Sequence, residues 1–192
     1  VAATVAIYYD FAGTDGSPGT NQDISGLGPP NIRFKRADNA TIDNQDPIPV
    51  PPSGTNYSRW KHLYLKVTGG TFTQIDNIRF YSDGTGFGTG VTLKVGLQFP
   101  TNNSGSPGSG YEVADTDDQD MVTYHSGITS DADAFTYVVG TPLSGPSISE
   151  SGSVIDAVNE TSNYIVFQLE VINTASAGDL NDETLTLKYD EI

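Results

Sequence analysis

The chain has 192 residues, no cysteine and a formal net charge of −15, from 24 acidic against 9 basic side chains. The missing thiol excludes disulfides, thiolate metal centres and cysteine nucleophiles, and so acidic a chain repels phosphate backbones, so nucleic acid is not an expected partner. No apolar run approaches the roughly 18 residues of a membrane-spanning helix, so no membrane partner is expected either.

The imbalance of charge lies in the second half. Residues 1–94 hold eight Lys/Arg and eight Asp/Glu, whereas 95–192 hold only Lys188 against sixteen acids. This suits a solvated, anti-aggregation surface; it also suits a polar molecule whose early strands meet a partner while the acidic face looks at solvent.

In chain order, Ala3 to Phe11 reads as a first strand, its β-branched and aromatic residues fitting a pleated surface. Gly13 to Pro30 carries five glycines and three prolines and reads as a long loop. Asn31 to Arg36 is a short predicted strand with Ile32 and Phe34 on one face. Residues 37–54 are proline-dense enough to be extended, either an arm across a neighbouring subunit or a connection pinned to its own domain.

The clearest patterns follow. Leu63, Leu65 and Val67 alternate with Tyr64 and Lys66, Ile78 and Phe80 with Asn77, Arg79 and Tyr81, and Val91 to Phe99 alternates throughout. A period of two marks strands with one buried face. Phe135 to Val139, Asn163 to Asn173 and Glu183 to Ile192 are further predicted strands. No window shows a 3.6-residue apolar stripe. The prediction is an all-β fold, a single domain over 1–192: an antiparallel, jelly-roll-like β-sandwich of about nine strands with long Gly/Pro-rich loops.

Sites of chemistry are sparse. The alternate glycines Gly84 to Gly90 precede a strand rather than the helix a phosphate loop needs, and fit a hairpin loop using positive φ. Asp115, Asp117 and Asp120 invite Ca²⁺, but an EF-hand counted from Asp115 has Asp120 at the glycine position and Ser126 at the closing glutamate. Those three remain the calcium candidates, with a solvated loop as the plainer reading; no other cofactor is expected. His62 and His125 lack zinc-ligand spacing and read as surface or packing residues. No G-x-S-x-G context or defined carboxylate pair announces catalysis, so no catalytic residue is assigned and the chain is read as non-enzymatic. Tyr57, Trp60, Tyr64 and Tyr81 suit either a sugar-stacking platform or sheet-face and interface packing.

The segments NIRFKRADN (31–39), SGTNYSRWKHL (53–63), IDNIRFYSDGTG (75–86) and DETLTLKYDEI (182–192) resemble small proteins encoded among the head genes of tailed bacteriophages. The resemblance covers about half the chain and implies a virion structural protein: a decoration or cement protein on the capsid exterior, bound to the major capsid protein, often as a homotrimer. It carries no functional residues over. In that setting Arg33, Lys35, Arg36, Arg59 and Lys61 are the expected contacts to an acidic shell, with Tyr57 and Trp60 completing the interface. The rival expectation is a carbohydrate-binding or receptor-binding module, dependent on Trp60 or Tyr64.

Overall fold

The structure, a computed structural model, describes residues 2–27, 31–98, 111–124, 128–144 and 154–192. Nine strands are present among them: β1 (Thr4–Phe11), β2 (Thr20–Asp23), β3 (Thr55–Tyr57), β4 (Lys61–Gly69), β5 (Ile75–Ser82), β6 (Val91–Gln98), β7 (Ile128–Asp133), β8 (Tyr164–Ile172) and β9 (Leu185–Glu191). The helical elements are one turn, α1 (Met121–Tyr124), and a 3-10 turn, Ala134–Thr136. No helix among the described residues is long and apolar enough to cross a membrane.

The strands form two layers, as the alternating patterns predict. A seven-stranded antiparallel sheet runs β2-β1-β4-β8-β6-β7, with β3 pairing beside β4 along the same edge of β8. The second sheet is β5-β9, extended by single bridges from Ile155 and Leu143 to β5. The division is seven against two, rather than the even layers of a regular jelly roll.

The core lies between the layers. Leu63, Leu65 and Val67 of β4, Leu93, Val95 and Leu97 of β6 and Phe167 of β8 pack with Ile75, Ile78 and Phe80 of β5. Phe80 meets Phe167 edge-on at 5.2 Å between ring centroids. The alternation seen in sequence thus identifies the inner face of the large sheet.

Four sequence expectations change. The 13–30 stretch read as a loop contains β2, paired with β1. Asn31–Arg36 is not a strand; its backbone is irregular and it lies against the cleft described below. Phe135–Val139 gives a 3-10 turn and isolated bridges, and the strand comes just before it as β7, whose sequence ITSDAD has no apolar alternation. The glycine run between β5 and β6 is not a hairpin, because the two strands belong to different sheets; Gly84, Gly88 and Gly90 adopt φ of 85°, 95° and 78° in a crossover between layers. Phe99 and His125 lie outside the described residues.

Gly90 shows what that crossover requires. Beyond its left-handed backbone, a Cβ there would run into the backbone of Ala175, and its carbonyl accepts from Ile172 N at 2.9 Å. Gly90→Ala is expected to destabilise the fold by about 2 kcal/mol or more, the cost of strained φ plus displaced backbone, read as a lower midpoint in urea.

The 37–54 segment is pinned to its own domain. Asp38 accepts from Ala12 N at 2.7 Å and from the Tyr9 hydroxyl at 3.2 Å. Asp46 O accepts from Arg36 N at 2.9 Å, and Pro49 O from Asn56 Nδ2 at 2.8 Å.

Candidate functional site

The outer face of the large sheet is also buried, over the area covered by residues 111–124. Trp60, Tyr64, Tyr164, Val166, Tyr111 and Met121 form a second apolar cluster there. Trp60 arrives between β3 and β4, where Ser58 substitutes for strand pairing: its N–H donates to Leu169 O and its Oγ accepts from Leu169 N, both at 2.9 Å. The indole N–H then donates to Gln119 O at 3.0 Å, tying down the cover.

A polar group is sealed beneath it. Asp10 and His62 are 1% and 2% exposed. The Tyr164 hydroxyl donates to Asp10 Oδ2, and His62 packs on Tyr111 at 4.7 Å between centroids. His62 Nε2 lies 2.9 Å from Glu112 O, which only accepts, so Nε2 carries the proton. Burial pushes the Asp10 carboxyl up to about 6, against the lowering effect of the tyrosine hydroxyls. Burial drives His62 down to about 3, with the Glu112 carbonyl opposing and the Lys61 charge assisting. Burial likewise holds the Tyr164 and Tyr111 phenols well above their usual range. These groups are enclosed by the protein's own side chains.

An open concavity lies on the other side of the sheet. A cleft of about 930 Å³ lies between the two layers. Its floor is Leu63, Leu93, Ile165, Phe167 and Leu169. One wall is residues 31–35, 44–45 and 47–50; the other is the 175–184 loop with Leu185 and Leu187 of β9. The floor is buried, whereas Ile32, Phe34, Ile48, Val50, Phe87, Leu185 and Leu187 on the walls are only partly so. Two cations line it, and both are paired: Arg33 with Asp179 across the mouth and Lys35 with Asp43, each at 2.9 Å.

The residues expected at an interface divide accordingly. Lys35, Trp60 and Lys61 are 2%, 2% and 0% exposed, so none offers a surface to a partner in this fold. Lys61 is a strand residue facing the core side, where its ammonium donates to the Tyr9 hydroxyl at 2.8 Å; burial lowers its pKa to about 8, with Lys35 and Arg59 adding to the fall and Asp38 opposing it. Arg33, Arg36, Tyr57 and Arg59 are partly exposed. Arg36 pairs with Asp117, and Arg59 donates to Ala114 O. The basic residues therefore fasten their own chain's acidic loops, which the charge count along the sequence did not reveal.

The calcium candidates are similarly placed within one loop but do not converge. Asp117 holds Arg36, and Asp120 caps α1 through Val122 N at 3.1 Å and Thr123 Oγ1 at 2.6 Å; Asp115 is exposed. Among the described residues no three acidic or histidine side chains gather as a metal site. The aromatic platform does not form either: Trp60 and Tyr64 are interior, and Tyr81 belongs to the other sheet.

No family model, curated protein or solved structure matches this chain. The site is accordingly read from its own geometry. Sequence reasoning missed the cleft because its walls come from segments distant in the chain, two read as strands (31–36 and β9) and two as loops (44–50 and 175–184), and their meeting is not written in either pattern; the signal was Ile48 and Val50, apolar residues spaced along a proline-dense segment that otherwise reads as solvated.

Proposed function

We propose that the protein is a non-enzymatic β-sandwich that works by contact, holding its partner or ligand in the cleft between its layers. The observation that carries this reading is the cleft's chemistry: half-buried apolar walls and two cations already matched by their own carboxylates. A catalytic site instead wants polar groups converging in the concavity, and the strongly perturbed Asp10 and His62 lie across the thickness of the large sheet from it.

The resemblance to tailed-phage head proteins supplies a setting: the exterior of a capsid, the major capsid protein as partner, and a homotrimer as the working unit. Arg33, Arg36, Tyr57 and Arg59 are the members of the expected interface with surface to offer. The test has two readouts. The purified chain should bind a solvatochromic apolar dye saturably at one site, and it should cosediment with undecorated capsid shells as a trimer by light scattering. Dye uptake without shell binding keeps the cleft function and removes the virion setting. Failure of both overturns the reading.

A further inference from the structure

Resting on that reading of the cleft, we infer that its ligand is a neutral, single-chain amphiphile, an unbranched hydrocarbon chain ending in an uncharged polar group such as an alcohol. Three observations lead there.

The first is incomplete burial concentrated in one place. Ile32, Ile48, Val50, Phe87, Leu185 and Leu187 all pack on the core yet keep part of their surface open, and all of them line the cleft. Apolar side chains scattered singly over a surface need no explanation, whereas a group of them turned into one concavity marks a binding site. The size is right for a small molecule, because ligand pockets run from about 300 to about 1,000 Å³ and this one is about 930 Å³.

The second is charge. Arg33 is held by Asp179 and Lys35 by Asp43, so a carboxylate or phosphate headgroup would have to displace an existing partner. Asp182 and Glu183 on the same lining repel an anion further. A cationic headgroup is drawn to those acids, but Asp182 is exposed and screened by water, and moving into the apolar cleft would cost the headgroup its hydration. An uncharged end meets neither penalty.

The third is the uncharged polar chemistry at the walls: besides the acids and the paired cations, Ser25, Asn44, Gln45 and Asn181 line the cleft alongside the apolar groups. Such side chains donate and accept without charge and orient a hydroxyl or ester end. The cleft therefore combines apolar walls with uncharged hydrogen-bonding side chains beside ion pairs that are already satisfied.

Titration calorimetry on the full chain tests this with octanol, decanol and dodecanol, followed by carboxylate and ammonium compounds of the dodecyl chain. Affinity is expected to rise about fourfold for each added methylene, and dodecanol to bind at least tenfold more tightly than either charged analogue. Val171→Trp, which fills the floor, and Leu187→Trp, on the more open β9 wall, should each abolish uptake; the second keeps the test alive if the first fails to fold. Affinity independent of chain length, or a charged analogue binding best, overturns the inference. So does uptake that persists in a folded Leu187→Trp variant. Concentration-dependent dimerisation that blocks the dye would assign the cleft to a second copy of the chain and also overturn it. If the dye binds saturably but no alkanol displaces it, this inference fails while the binding reading stands; if neither binds, both fail.

Discussion

Trp60→Ala is expected to lower stability by about 3 to 5 kcal/mol, the range for truncating a buried aromatic. Trp60 is 2% exposed and bridges three parts of the fold: the β3-β4 junction, the outer face of the large sheet, and the cover that its indole N–H holds through Gln119 O. Removing it leaves a cavity and takes away one of the two donors to Gln119 O, which keeps only Gln168 Nε2 at 2.6 Å. The loss should be read in urea at constant pH, beside Trp60→Phe, which keeps most of the volume and loses the hydrogen bond. A second readout separates loosening of the cover from simple loss of packing. With the cover released, water reaches His62, and its titration measured by NMR should move up from about 3 towards the ordinary histidine value. A Trp60→Ala protein of unchanged stability that fails to bind shells would instead restore Trp60 to the interface.

Acid should destabilise the protein through His62, with Asp10 opposing it. His62 has a folded pKa of about 3 against 6.5 unfolded, so between those values the unfolded chain binds more protons and stability rises with pH. The full span corresponds to roughly 4 to 5 kcal/mol, fully present above pH 6.5 and lost as pH falls through 3. Asp10 runs the other way. Its folded pKa of about 6 against 3.8 unfolded means the folded state holds the extra proton, so its contribution, roughly 3 kcal/mol, is present below 3.8 and lost as pH rises through 6. The wild-type curve should therefore fall only gently from pH 7 to 4. Asp10→Asn should make that fall steeper, and His62→Gln should remove it or reverse its sign. Denaturation midpoints for the three proteins at pH 4, 5, 6 and 7 decide the matter; parallel curves would show that neither group controls acid stability. The test bears on function too, since a sealed group titrating in this way is a structural feature of the outer face and leaves the cleft unchanged.

Much of the fold was legible because its strongest elements obey a local rule. Leu63, Leu65 and Val67, Val91 to Leu97, and Ile165 to Val171 alternate because one face of each strand is the core. What failed to be read is instructive. Strands β2 and β7, TNQD and ITSDAD, lack alternation because they are the edges of the large sheet, positioned by pairing with β1 and β6. Tyr64 and His62 alternate as outward residues, yet they are interior, because the 111–124 segment folds across that face from about fifty residues away in sequence.

The sequence by itself determined the β class, the two-residue periodicity of the core strands and the absence of thiol chemistry, since each depends only on a residue's type and its near neighbours. Tertiary structure alone decided the rest. It split β5 and β6 between layers, covered the outer face over Asp10 and His62, set Arg33, Lys35 and Arg36 against acids of the same chain, and opened the cleft between β9 and the proline-dense wall. The physical reason is common to all four. Burial, ion pairing and cavities arise between segments distant along the chain, and neither the spacing of residues nor the sum of their charges specifies which distant segments meet.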